Sequence, residues 1–148
     1  MEIKVHRIYG PDDMAIIRKV IRKKHGRMEK IRKILQVKKC TDPEVAESYI
    51  YLLSLEDERI EEEVIIEDRK AVNYLTTRRM ELIDVINGNE PISIKQLANH
   101  TGRDYKNVYD DVYALSSYHI LNVVKYGKER TVLGKVISIT LTFTDKTI

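Results

Sequence analysis

The chain has 148 residues, which allows one domain, or one small domain with an arm. Apolar residues make up 43% and charged residues 33%, enough to build a core and too apolar for compositional disorder. No apolar run approaches the ~20 residues of a membrane span. The first ten residues, MEIKVHRIYG, lack the apolar h-region of a secretory signal, so a soluble cytoplasmic protein is expected. Cys40 stands alone, which excludes an intramolecular disulfide framework and any multi-cysteine zinc site.

The net charge of +3 hides two opposed blocks. Residues 18–39 hold eleven Lys/Arg and one acid, Glu29. Residues 42–68 hold eleven Asp/Glu and one base, Arg59. A basic block of this density fits nucleic acid or another anionic surface. It fits equally the solvated back of a helix, or a partner for the acidic block within or between chains. Either block is a candidate contact for a protein partner.

In chain order, residues 2–9 alternate and read as a short strand. Gly10-Pro11 signals a turn, and Asp12 or Asp13 can cap a helix beginning there. Met14, Ile17, Ile21, Met28, Ile31 and Leu35 then step mostly by threes, fours and sevens. That spacing predicts an amphipathic helix to about Val37, and its stripe is the expected dimerisation surface. Asp42-Pro43 starts a second predicted helix, continuing to about residue 60. Val64-Ile65-Ile66 reads as a short strand-like run. These elements form an expected arm over 1–66, with the second domain over 67–148.

The second domain is more legible. Arg78–Ile86 reads as a helix closed by Gly88. Ser93-Ile-Lys-Gln96 is a capping box, S-x-x-Q, opening a short helix that stops near Gly102. Arg103-Asp104 opens another, to about Ser117. Two short helices joined by a glycine turn are a helix-turn-helix. Residues 120–126 predict a strand, and the Gly-bounded stretch 127–134, with Lys128 and Arg130, a loop. Val136–Phe143 alternates as a second strand, with Ile137, Ile139, Leu141 and Phe143 expected on one face. The order predicts an α+β winged helix-turn-helix domain.

The residues Leu75, Thr76, Arg78, Arg79, Glu81, Leu82 and Ile86, then Pro91, Ser93, Ile94, Leu97 and Ala98, then Gly102, Arg103, Asp104, Lys106, Asn107 and Val108 also carry a resemblance. Over about 64–143 the chain resembles a family of predicted archaeal and bacterial transcriptional regulators with MarR-type winged helices. The resemblance implies a DNA-binding regulator, often dimeric, and some relatives look like partners in toxin–antitoxin operons. Two positions depart from the pattern. Asp110 stands where the family tends to have a basic residue, and His119 where it usually has glycine.

At 100° per residue, Val108, Val112 and Leu115 form the core stripe of the second helix. Lys106, Asp110, Tyr113 and Ser117 lie opposite, with Arg103 and Asn107 at the flank. In a groove-docked helix, Arg and Lys suit guanine, Asn suits adenine and Asp accepts from cytosine. Arg103, Lys106, Asn107, Asp110 and Tyr113 are therefore the expected reading face. Lys125, Lys128 and Arg130 of the wing are expected at phosphates or the minor groove. The alternatives are that Arg103 and Asp104 only stabilise the helix start, and that the wing charges are solvated.

No phosphate loop, dinucleotide fingerprint or nucleophile elbow occurs. His6, His25, His100 and His119 show no metal-ligand spacing. No enzyme, metal or cofactor is expected. The sequence therefore predicts a homodimeric regulator that binds double-stranded DNA. The rival is a winged-helix adaptor within a larger protein complex.

Overall fold

A computed structural model describes residues 1–25 and 59–143. It is a mixed α+β chain with two small antiparallel sheets and helices between their strands. The elements, numbered along the described residues, are β1 (Glu2–Tyr9), α1 (Pro11–His25), β2 (Ile60–Ile66), a 3-10 helix (Arg69–Tyr74), α2 (Thr77–Asn89), β3 (Ile92–Ser93), α3 (Ile94–Thr101), α4 (Tyr105–Ser117), β4 (Asn122–Tyr126), β5 (Glu129–Leu133) and β6 (Lys135–Thr142). The expected helix beyond His25, the helix expected from Asp42 and Cys40 lie outside the described residues.

The chain divides into two compact units, residues 10–60 and residues 1–9 with 61–148. This differs from the expected boundary at 66/67, because β1 and β2 share a sheet with β6, in the order β2-β1-β6. In the first unit, the Gly10 amide donates to Asp13 Oδ2 at 3.1 Å, fixing the entry to α1. Met14, Ile17 and Ile21 lie farther along at helical spacing, and all three are buried in the single chain.

In the second unit β1 buries every other residue: Ile3, Val5, Arg7 and Tyr9. Ile3 faces Leu141 and Val5 faces Ile139 across the β1–β6 ladder. A bulge between His6 and Arg7 then brings buried Val136 opposite Arg7. It leaves Ile137 as the extra residue, so the strict alternation expected over 136–143 breaks there. Arg7 bridges the sheet to the helices. Its guanidinium donates to Glu62 Oε1 at 2.8 Å and to the His119 carbonyl at 2.7 Å.

The helices close over this layer with Leu82, Ile86, Ile94, Leu97, Val108, Val112 and Leu115, all buried. The capping box is formed, with Ser93 Oγ accepting from the Gln96 amide and Gln96 Oε1 from the Ser93 amide, both at 3.1 Å. α3 ends on Gly102 at φ +63, with the Arg103 amide donating to the Ala98 carbonyl. α4 ends the same way on His119, at φ +61, with the Ile120 amide donating to the Leu115 carbonyl. Both are Schellman ends, which need a left-handed residue just past the cap. This is the physical reason that glycine suits position 119.

The hairpin also differs from expectation. β4 pairs with β5 through a tight turn at Gly127-Lys128, not with residues 136–143. The stretch expected as a loop contains β5, whose Thr131, Val132 and Leu133 are buried. The chain then turns at Gly134 and β6 joins β1 instead.

Candidate functional site

α4 presents three different sides. Its core side is Val108, Val112 and Leu115, none of them exposed. Its outward side carries Lys106, Asn107 and Asp110, all exposed in the N-terminal half. None of these three forms an ion pair or side-chain hydrogen bond with a described residue. Among the described residues, those side chains give up no partner on meeting a ligand.

Arg103 is paired within the chain. Its Nη2 donates to Asp111 Oδ2 at 2.6 Å, and its side chain is only 16% exposed. Arg79 Nε of α2 donates to the other carboxylate oxygen at 3.2 Å. Arg79 also donates to the Tyr74 carbonyl and lies over the Tyr74 ring. Asp111 thus ties α2, the turn and α4 together, and Arg103 is engaged in that link, as in the alternative in which it stabilises the helix start. Burial pushes the Asp111 carboxyl up, but hydrogen bonds and charges from Arg103 and Arg79 outweigh it and hold the pKa below its ordinary value.

A carboxylate whose pKa is lower folded than unfolded adds stability above the unfolded pKa of ~3.9 and loses it as pH falls through the folded value. Asp111→Asn is therefore expected to cost about 1–3 kcal/mol at neutral pH, since it leaves two guanidinium groups without their charge partner. The gap between wild type and variant should begin to narrow as pH falls below about 4 and close once pH is below the lowered pKa of folded Asp111, where the wild-type carboxyl is neutral too. Urea unfolding at a series of pH values measures it. A gap independent of pH would contradict this role.

The third side of α4 is a ladder of tyrosines. Tyr105, Tyr109 and Tyr113 recur every fourth residue, with ring centroids 6.0 and 4.5 Å apart. Arg130 of β5 lies over the Tyr109 and Tyr113 rings at 5.8 and 5.6 Å, and its Nη1 donates to Tyr113 Oη at 2.8 Å. This hydrogen bond, with the charge interaction of the Tyr113 and Tyr109 phenol groups, pushes the Arg130 pKa further up. Tyr113 is half-buried and joins helix to hairpin. The i, i+4, i+8 spacing is visible in the sequence, but by itself it signals only packing at the edge of the core.

The hairpin concentrates positive charge. Lys125 sits directly opposite Arg130 in the β4–β5 register, with Lys128 in the turn. Like charges placed opposite each other are destabilising until an anion lies between or over them. All three are exposed. Lys128, Glu129 and Arg130 line an open groove together with Tyr105 and Lys95, the latter from the first turn of α3. Lys95 is a member of this surface that no sequence motif singles out.

Residues 74–139 are similar to the protein family described as HVO_A0114. That match runs from the end of the 3-10 helix into β6, a little under half of the chain. No curated protein matches the chain.

Of the expected dimerisation residues, Met14, Ile17 and Ile21 are already covered within one chain. Met28, Ile31 and Leu35 lie outside the described residues. No described helix is long and apolar enough to cross a membrane, and no described cluster of His, Cys, Asp and Glu could hold a metal ion.

Proposed function

We propose that the chain is a sequence-specific double-stranded DNA-binding transcriptional regulator acting as a homodimer in the cytoplasm. On this reading α2, α3, α4 and the β4–β5 hairpin are a winged helix-turn-helix. α4 enters the major groove and the hairpin grips the adjoining backbone. Likeness to MarR-type regulators, autoregulation of its own gene and an antitoxin-like role belong to the same proposal.

The observation that carries it is the joint surface of α4 and the hairpin. Lys106 and Asn107 stand exposed on α4, with no side-chain partner among the described residues, beside a hairpin whose Lys125 and Arg130 face each other across the strands. Phosphate would relieve the second feature while the first reads base edges. The adaptor reading is favoured by the acids on the same surface, Asp110 and Glu129, which repel phosphate.

A gel shift with the DNA upstream of its own gene tests the proposal. The logarithm of the binding constant should fall with log salt at about −0.9 per phosphate neutralised. Lys125→Gln with Lys128→Gln should flatten that slope by about 2, and weaken all sequences alike. Absence of binding, or a slope indifferent to both lysines, would favour the adaptor.

A further inference from the structure

The β2-β1-β6 sheet has two edges of opposite character. β2 carries Glu61, Glu62 and Glu63 in succession, each paired with a basic residue of β1 (His6, Arg7 and Lys4), so that edge is charged and its glutamates are already engaged within the chain. β6 has no Asp, Glu, Lys or Arg from Val136 to Phe143, in a chain with 33% charged residues. Edge strands normally carry charge, proline or cover, because their free amides and carbonyls are a template for another strand.

Asn87 covers one end of β6. Its side chain donates to the Val136 carbonyl at 2.7 Å and accepts from the Val136 amide at 2.9 Å, as a neighbouring strand would. No described residue does this for Ser138–Thr142. Along this stretch Leu141 is 42% exposed, although it faces the fully buried Ile3, and Phe143 just beyond is 75% exposed. Among the described residues, nothing covers the core-facing side of the sheet at this edge.

We infer that β6 is the homodimer interface: two copies pair antiparallel through Ser138–Thr142, joining their sheets into one. The occupant is a second copy of this chain because the segment is neutral and matches itself. A two-fold axis perpendicular to the sheet at Thr140 sets Ile139 opposite the partner's Leu141, and Ser138 opposite the partner's Thr142. Every apolar side chain then meets an apolar one on one face, and hydroxyls meet on the other. The contact is isologous and closes at two copies, whereas pairing β6 with an acidic β2 edge would be open-ended. The bulge at Ile137 and the Asn87 amide end the paired stretch on one side.

The inference deepens the homodimer reading and rests on it. Its test is sedimentation of the full chain and of Leu141→Lys and Leu141→Glu, with thermal melts to establish that each is folded. The wild type should be a dimer and each variant alone a folded monomer, since identical charges lie diagonally across the axis. An equimolar mixture of the two variants should pair again. A wild-type dimer with a dimeric Leu141→Lys variant, or a mixture that stays monomeric, overturns this interface and leaves the homodimer standing. A monomeric wild type overturns both.

Discussion

Removal of residues 1–9 is expected to leave the remaining chain unfolded. The sequence reads β1 as part of an arm outside the second domain, but it is the central strand of the β2-β1-β6 sheet. Ile3, Val5 and Tyr9 are at most 1% exposed. Losing three such side chains forfeits about 5–9 kcal/mol of burial. That equals much of the ~5–15 kcal/mol by which a domain this size is stable. Glu62 would also lose Arg7, and both β2 and β6 would lose their ladder partner. Far-UV circular dichroism and a urea titration of a 10–148 fragment measure this. A cooperative transition of wild-type steepness would contradict the central placement of β1.

Gly134→Ala should be the most damaging single methyl addition among the described glycines. Gly134 has φ +83, and a Cβ there would lie 2.7 Å from Tyr9 Cε1 and 2.9 Å from Cδ1. Tyr9 cannot swing aside: it is fully buried, and its hydroxyl accepts from Asn122 Nδ2 at 3.2 Å. Backbone strain of about 1–2 kcal/mol adds to overpacking of about 1–3 kcal/mol. The denaturant midpoint should fall by the corresponding amount with little change in slope. Gly88→Ala is the contrasting case. Its Cβ meets nothing within 4 Å inside helix α2, so it should gain about 0.5–1 kcal/mol. Equal effects at the two positions would mean that the Tyr9 contact is not what fixes Gly134.

The features legible in the sequence are local. The Ser93–Gln96 box, the Gly102 stop and the Val108, Val112, Leu115 stripe each depend on residues within a turn or two of one another. The departure at His119 is legible too, and the left-handed backbone there explains why it is a departure. The β1–β6 pairing is not legible, because alternation says that a strand has two faces but not which strand lies beside it. The same ambiguity merges β5 into a loop and gives its place to residues 136–143. The pairing of Arg103 with Asp111 is not legible from helix angles, because they locate a side chain on its own helix only. They carry no information about Arg79 arriving from α2 to share Asp111. The tyrosine ladder is within reach of the sequence, but its meaning comes only with Arg130 laid across it.

If α4 reads base pairs, selection of bound duplexes from a random pool, by wild type and by Asn107→Ala, shows it most directly. Asn107 is exposed and has no side-chain partner among the described residues, and an amide has one donor and one acceptor, the pattern that suits adenine N7 and N6. Wild type should enrich a two-fold-related pair of half-sites. Asn107→Ala should lose about 1–3 kcal/mol of preference at one base pair in each and keep the rest of the profile. Asp110→Ala in the same pool should either tighten binding without new preference or erase one cytosine. A pool that neither wild type nor any variant enriches would contradict base reading by α4.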